Sequence, residues 1–284
     1  MKQGEVVAGR YEIQLLAGAG GMGAVYRALD RETGHAVALK LVQPSLAPDR
    51  ARFSREAEVL ASLSHPGIVA YLGHGRTGDG ALWLAMEWLD GEDLAARLRR
   101  APLSIDDALT IGRATAEALA FAHARGVIHR DIKPANLFLT ASRPDQIKIL
   151  DFGVARAEAG AVALTRAATA VGTPGYMAPE QARGDDDVDP RADLFSLGCV
   201  LFECLTGRPA FVGDHPLALL AKILLEEVPR VRELAPEVPP ALSAFVERMM
   251  ARDRAARPDD AASVVRELDA LATATADSTS TPLA

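Results

Sequence analysis

A glycine-rich run near the start of the chain constrains the fold more than any other feature. Gly18-Ala19-Gly20-Gly21-Met22-Gly23 follows the strand-like segment Tyr11 to Leu16 and precedes the β-like residues 24–28. Thr33-Gly34 predicts a turn, after which His35 to Leu41 is strand-like again. A dinucleotide-binding fingerprint must open a helix after its glycines, whereas this chain continues as a strand. The run therefore predicts an antiparallel hairpin, and the absence of GxxxxGK[ST] excludes the P-loop class.

A second stretch, His129-Arg130-Asp131-Ile132-Lys133-Pro134-Ala135-Asn136, brings three kinds of polar group together. The Asp131 carboxylate can accept a proton, the Lys133 ammonium can neutralise a phosphate, and the Asn136 amide oxygen can bind a hard cation. Phosphoryl transfer to a hydroxyl requires these three groups, because positioning and charge neutralisation supply most of its catalysis. The stretch therefore indicates a phosphotransferase.

Four further motifs surround this stretch in a fixed order. Gly18 to Val25 matches G-x-G-x-x-G-x-V and is followed by Val37-Ala38-Leu39-Lys40; Asp151-Phe152-Gly153 and Ala178-Pro179-Glu180 come later. The central stretch itself matches H-R-D-L-x-x-x-N except that Ile132 replaces Leu. In this order the motifs resemble those of protein kinases, and most closely those of the bacterial serine/threonine kinases of eukaryotic type. The resemblance covers roughly Tyr11 to Leu271.

The resemblance implies an α+β, two-lobed protein kinase-like fold with ATP bound between the lobes. The small lobe, residues 11–88, would hold an antiparallel sheet and one helix, and the larger lobe, residues 89–271, would be mainly helical. Residues 1–10 would lead into this domain. Residues 272–284 are mostly Ala, Thr and Ser. Because large apolar groups are scarce there, we predict a disordered tail.

Several expected nucleotide contacts lie in the small lobe and the hinge. By resemblance, Lys40 binds the α- and β-phosphates and is positioned by Glu56, for which Glu58 is the competing candidate. Strand alternation supports this reading, because Ala38 and Lys40 point to the same face, leaving room for a flat base. Met86 would close the back of the pocket. The residues expected to bind the nucleotide are Gly18, Gly20, Gly21, Gly23, Val25, Ala38, Lys40, Glu56, Met86, Glu87 and Leu89.

The resemblance also assigns roles in catalysis and metal binding. Asp131 would orient the acceptor hydroxyl and accept its proton, while Lys133 would steady the γ-phosphate. Asn136 and Asp151 would hold Mg²⁺, which Mn²⁺ could replace. Asp151 taken alone predicts only a turn before a glycine, and the presence of Asn136 at the family spacing favours metal binding.

Other polar residues of the large lobe are expected to be structural. Asp193 opens the apolar run Leu194 to Leu205, which predicts a buried helix, and by resemblance it anchors the catalytic loop. Arg257 matches the late arginine that pairs with Glu180. His123 and His129 have no accompanying Cys/His cluster, so we interpret them as structural. The expected structural residues do not add to the chemistry of the site.

The acceptor and the mode of regulation are also implied by resemblance. Lys133 and Thr173 match the serine/threonine class, so the partners would be proteins with Ser or Thr acceptors. Arg130, with a second charge from Arg156, would receive a phosphate carried by Thr165 or Thr169. Autophosphorylation of that kind would require a transient homodimer.

Composition excludes several other functions. The net charge of −7 argues against a nucleic-acid or anionic-membrane binder. The sequence shows no long uncharged apolar run and no signal-peptide h-region, which predicts a cytoplasmic protein. Cys199 and Cys204 are separated by a helical rise of about 7.5 Å, too far for an unstrained disulfide. They are therefore predicted to be free, buried thiols in a reducing compartment.

Two alternatives from other classes remain to be weighed. A pseudokinase, a binding module with the same fold, would be expected to lack one of Lys40, Asp131 or Asp151, and all three are present. A small-molecule phosphotransferase would not need the peptide-docking stretch Gly172 to Glu180. The sequence therefore favours an active protein kinase.

Overall fold

The computed structural model describes residues 1–20, 23–42, 57–78, 80–152, 174–213 and 215–279. The first part of the chain forms one antiparallel sheet of six strands, in the order β1-β2-β3-β4-β6-β5. Its strands are β1 (Val6–Val7), β2 (Tyr11–Gly20), β3 (Gly23–Asp30), β4 (Ala36–Val42), β5 (Tyr71–Arg76) and β6 (Leu82–Glu87). Residues 57–61, between β4 and β5, are helical.

The glycine run lies where β2 and β3 pair, as the sequence predicts. Gly18 is opposite Val25 and Gly20 is opposite Gly23, so the run forms the end of an antiparallel hairpin. Gly23 has a φ of +145°, and a Cβ placed there would lie 1.9 Å from the Leu41 carbonyl oxygen. Only glycine allows β3 to approach β4 this closely at that point.

Side chains alternate across the sheet. Tyr26, Ala28, Val37 and Leu39 are buried and belong to the core of this lobe. Their neighbours Val25, Ala38 and Lys40 are only partly buried, so they lie on the opposite face of the sheet. The face that carries Lys40 is therefore turned away from this core, and we call the space between it and the large lobe, where Lys40 meets Asp151, the cleft.

The second part of the chain is mainly helical. It also contains a three-stranded sheet of β7 (Gly91–Asp93), β8 (Leu137–Thr140) and β9 (Ile147–Ile149). The helices are α1 (Leu94–Leu98), α2 (Ile105–His123), α3 (Pro179–Arg183), α4 (Arg191–Thr206), α5 (Pro216–Leu225), α6 (Val231–Leu234), α7 (Pro240–Met249) and α8 (Ala261–Thr279). A sheet lobe followed by a helical lobe confirms the predicted α+β class.

Helices α2 and α4 form the centre of the helical lobe. The Ser104 hydroxyl accepts from the Asp107 backbone N–H at 3.1 Å and caps the start of α2. Helix α4 is buried along almost its whole length and ends at Gly207, whose φ is +70°. Cys199 and Cys204 on α4 are free and buried, as predicted, and burial raises the pKa of both thiols.

The end of the chain differs from the sequence expectation. Helix α8 continues to Thr279, whereas disorder was predicted from residue 272. The Thr273 hydroxyl donates to the Asp269 carbonyl at 3.0 Å, and the Thr275 hydroxyl donates to the Leu271 carbonyl at 2.8 Å. Alanine has the highest helix propensity, so a helix can continue here without apolar packing. Across the ranges given above, no helix is both long and apolar enough to cross a membrane.

Candidate active site

The loop before β8 is held by the carboxylate of Asp193, a fully buried residue of α4. Its Oδ2 accepts from the His129 backbone N–H at 2.8 Å, and its Oδ1 accepts from the Arg130 backbone N–H at 2.7 Å. The imidazole Nε2 of His123 lies 2.8 Å from Oδ2 as well. One buried carboxylate therefore fixes two successive peptide groups, which confirms the anchoring role predicted for it.

The ionisation of Asp193 follows from these contacts. Burial alone raises the pKa of the Asp193 carboxyl. The hydrogen bond and charge interaction with His123, together with His129, outweigh burial and lower this pKa below its ordinary value. Asp193 is therefore a carboxylate at neutral pH.

Three polar side chains meet at the end of this loop. The Lys133 Nζ lies 2.9 Å from the Asp131 Oδ2. The Asn136 Nδ2 donates to the Asp131 carbonyl at 2.8 Å and to the Asp131 Oδ2 at 3.1 Å. Because both acceptors are oxygens, they define which end of the Asn136 amide is nitrogen. The amide oxygen is thus the atom turned away from Asp131.

His129 joins this loop to the Asp151 segment. Its Nε2 lies 2.8 Å from the Leu150 carbonyl oxygen, and its ring meets the Phe152 ring edge-on at 4.6 Å between centroids. The Leu150 backbone N–H also donates to the Asn136 carbonyl at 2.8 Å. These contacts place Asp151 next to the loop, and His123 and His129 are structural, as predicted.

Lys40 of β4 reaches across the cleft to Asp151. Its Nζ lies 2.7 Å from the Asp151 Oδ1, and the two side chains are 14% and 39% exposed. Asp151 has a left-handed φ of +53°, which is uncommon for a residue other than glycine. Glu56, the predicted partner of Lys40, lies outside the described residues. The structure thus pairs Lys40 of the small lobe with the Asp151 carboxylate of the large lobe.

The roof of the cleft is formed by the sheet face that carries Lys40. Strand pairing sets Val25 opposite Lys40 and Ala38 opposite Met86. Directly opposed residues share a face, so these four side chains line one surface. Gly18 and Gly20 lie at its edge, where a Cβ on Gly18 would meet no atom within 4 Å. Gly21 lies outside the described residues.

The hinge after β6 has one feature that the sequence did not reveal. The Glu87 Oε1 accepts from the Lys148 Nζ at 2.7 Å and from the Ala70 backbone N–H at 2.7 Å. The Glu87 side chain is thereby tied to β9 and to the segment before β5, and the Glu87 backbone N–H donates to the Ala70 carbonyl at 2.9 Å. Leu89 follows in the hinge and is partly buried. Opposite charges on two strands were the only signal in the sequence for the Glu87–Lys148 pair.

The segment before α3 is fastened to the large lobe. Glu180 and Arg257 are buried and form a two-bonded ion pair with N···O distances of 2.7 and 2.8 Å. Tyr176 donates to the Glu203 carboxylate, and the Ser196 hydroxyl donates to the Tyr176 carbonyl at 2.7 Å. Burial raises the pKa of the Tyr176 hydroxyl. The predicted Glu180–Arg257 pair is confirmed, whereas the contacts of Tyr176 and Ser196 were not foreseen.

Comparison with known proteins identifies the family. The protein kinase domain family matches residues 11–267. The chain is 38% identical over 279 residues to the serine/threonine-protein kinase pkn3 of Myxococcus xanthus, covering 94% of this chain and 51% of that protein. It is 43% identical over 254 residues to the serine/threonine-protein kinase PknD of Mycobacterium tuberculosis, covering 88% of this chain and 38% of that protein. The chain thus spans about half or less of the length of these relatives.

Solved structures agree with the sequence matches. The crystal structure of the M. tuberculosis PknI kinase domain is similar with a TM-score of 0.77 at 31% identity, covering 96% of this chain and 99% of that one. Rad53 1-466 in complex with AMP-PNP is similar with a TM-score of 0.75 at 25% identity, covering 91% of this chain and 64% of that one. With a family match over most of its length and this fold, the chain belongs to the protein kinase family.

Proposed function

We propose that the chain is an ATP-dependent protein serine/threonine kinase. The observation that carries this proposal is the meeting of Asp131, Lys133 and Asn136 on a loop anchored by a buried carboxylate, with Lys40 and Asp151 across the cleft. A pseudokinase would not need this set of groups to be complete. The names of the relatives support serine or threonine as the acceptor.

In this proposal each polar group performs one task. Asp131 accepts the proton of the acceptor hydroxyl, and the contacts from Lys133 and Asn136 hold its carboxylate in one orientation. Lys133 is close enough to Asp131 to act on the γ-phosphate and the hydroxyl at the same place. Lys40 binds the α- and β-phosphates under the glycine hairpin.

The donor set at Asn136 and Asp151 fits a hard divalent cation. An amide oxygen directed away from Asp131 and a partly exposed carboxylate are the oxygen ligands that Mg²⁺ accepts, together with phosphate and water. Mg²⁺, or Mn²⁺ in its place, would neutralise phosphate charge when bound. The ion pair with Lys40 keeps the Asp151 carboxylate in the cleft.

The direct test is incubation of the chain with dephosphorylated casein, γ-labelled ATP and Mg²⁺, followed by phosphoamino-acid analysis. Phosphoserine or phosphothreonine is expected, and the matched control, Asp131→Asn, should lose nearly all transfer. Nucleotide binding without transfer would favour the pseudokinase, and phosphotyrosine as the main product would contradict the acceptor class. Parallel reactions with Mn²⁺ define the metal preference.

Regulation by autophosphorylation is the second part of the proposal. Arg130 precedes Asp131, and Thr165, Thr169, Thr173 and Arg156 lie outside the described residues. A phosphothreonine would add about −1.5 to −2 charges near Arg130. Mass spectrometry after incubation with Mg-ATP should find phosphate on Thr165 or Thr169, formed in a transient homodimer. An active enzyme with both threonines unmodified would contradict this part alone.

A further inference from the structure

Gln181 bridges the peptide-docking segment and the catalytic loop. Its Oε1 accepts from the Ala178 backbone N–H at 3.0 Å, and its Nε2 donates to the Arg130 carbonyl at 3.0 Å. Gln181 and Arg130 are far apart in sequence, so only the folded structure brings them together. The amide uses one end for each segment.

The Arg130 carbonyl is a sensitive point of attachment, because Arg130 has a left-handed φ of +64°. A side-chain-bearing residue keeps such a conformation only where its surroundings determine it. Here the backbone N–H of Arg130 donates to the Asp193 Oδ1 at 2.7 Å, and its carbonyl accepts from Gln181. The two polar backbone groups of Arg130 are therefore held by different helices, α4 and α3.

The same carbonyl belongs to the peptide group that leads into Asp131. This peptide group is planar and trans, so its C=O and the Asp131 N–H point in opposite directions within one rigid plane. The Asp131 N–H donates to the His129 Nδ1 at 3.2 Å, and the Arg130 C=O accepts from Gln181. Because hydrogen bonds hold both ends of this peptide group, they fix the direction in which the Asp131 side chain leaves the backbone.

We propose that Gln181 is a positioning residue for the kinase reaction, which orients the Asp131 carboxylate and ties that orientation to the docked peptide. The inference rests on the proposed function. Helix α3 is a rigid support, because the neighbouring Glu180 is held by the buried ion pair with Arg257. A shift of the Ala178 segment is thus transmitted through one amide to the peptide group before Asp131.

The chemistry of the position requires an amide. Ala178 presents an N–H donor and Arg130 presents a carbonyl acceptor, so the bridging side chain must accept at one end and donate at the other. Methionine matches the length of glutamine and does neither. Glutamate keeps an acceptor for Ala178 but places a second oxygen against the Arg130 carbonyl. Gln181→Met therefore removes both hydrogen bonds, whereas Gln181→Glu keeps the one with Ala178 and replaces the donor to Arg130 with an acceptor.

The experiment measures kcat, the KM for ATP and the KM for casein in wild type, Gln181→Met, Gln181→Glu and the control Arg183→Met. Arg183 lies on the same helix and makes a surface pair with Asp185 at 3.0 Å. Gln181→Met should lower kcat about tenfold, which is the scale of one lost hydrogen bond in the transition state. The KM for ATP should stay unchanged, and Arg183→Met should stay within twofold of wild type.

A pH series gives a readout that a merely structural role would not move. Protonation of the carboxyl in Gln181→Glu restores a donor toward the Arg130 carbonyl. Because an ordinary glutamate carboxyl has a pKa of about 4.3, the ratio of its kcat to that of wild type should rise as the pH falls from about 8 to about 4.5, while the ratio for Gln181→Met stays flat. If Gln181→Met does not fold, this ratio decides the question alone.

The outcomes separate the inference from the function on which it rests. An inactive wild type contradicts the proposed function before any variant is compared. An active wild type with Gln181→Met at unchanged kcat overturns the inference, even where the KM for casein rises. A Gln181→Glu ratio independent of pH overturns it as well.

Discussion

The catalytic loop and the nucleotide side of the cleft are held in very different ways. The loop is tied to a fully buried carboxylate, Asp193, by two backbone donors and one imidazole. On the other side, Lys40 meets Asp151 through an ion pair whose members are 14% and 39% exposed. Buried charge-assisted hydrogen bonds are strong and expensive to break, whereas a partly exposed ion pair contributes little.

The difference indicates where rigidity is needed. The proposed base must face the acceptor hydroxyl before the substrate arrives, so its loop is fixed by the core of the helical lobe. In the proposed function Lys40 exchanges its partner when phosphates bind, and a weak pair with Asp151 permits this exchange. The catalytic loop thus has a geometry that is fixed in advance, whereas the charged groups around Lys40 can change their partners.

The largest expected effect comes from removing the anchor of the loop. Asp193→Ala leaves the His129 and Arg130 donors buried without an acceptor and should lower the free energy of unfolding by about 3–5 kcal/mol. Kinase turnover should fall below detection. Denaturant unfolding measures the first effect. The matched control is Asp259→Ala, whose side chain is 88% exposed in its pair with Arg191; a similar loss there would contradict the comparison.

Removing the proposed base should affect chemistry and leave the fold unchanged. Asp131→Asn keeps the shape of the side chain but cannot accept the proton, so we expect kcat to fall about 10³-fold. The melting temperature and ATP affinity should match wild type. Steady-state kinetics and thermal unfolding on the same preparation check this, and turnover within tenfold of wild type would remove Asp131 from the base role.

Lys40→Met tests the adjustable side of the cleft. Loss of the proposed phosphate-binding cation should reduce turnover about 100-fold. The free energy of unfolding should change by less than about 1 kcal/mol, because Asp151 can be solvated. Arg31→Met, which removes an exposed pair with Glu12 in the same lobe, is the control. A large loss of stability in Lys40→Met alone would show that this pair is structural.

The smallest expected effect is a pH dependence that originates at Asp193. Its pKa is lowered in the folded state, so its ionised form contributes stability that is complete above the ordinary carboxyl pKa of about 4. This contribution is lost as the pH falls through the folded-state pKa. The difference in unfolding free energy between wild type and Asp193→Asn should be constant from about pH 7 to 5 and narrow below about pH 4. A difference that widens on acidification would contradict the assignment.

Local patterns predicted several individual elements, whereas the two-lobed fold was implied by the resemblance to protein kinases. The glycine run identified the hairpin, because β-like residues precede and follow it. Strand alternation placed Ala38 and Lys40 on one face, and the register of β3, β4 and β6 adds Val25 and Met86 to that face. The end of α8 was missed because low apolar content was taken to mean disorder. Alanine propensity and threonine hydroxyl bonds extend the helix instead.

The sequence by itself determined which chemical groups this protein has and the order in which they occur. This is possible because the residues of a motif such as His129 to Asn136 lie close together in the chain, so that their spacing can be read directly from the sequence. Tertiary structure alone decided which distant groups contact each other. These contacts are the ion pairs of Lys40 with Asp151 and of Glu87 with Lys148, and the hydrogen bond from Gln181 to the Arg130 carbonyl. Each of these contacts joins separate elements, and its geometry depends on how those elements pack against each other. No local pattern in the chain encodes that packing.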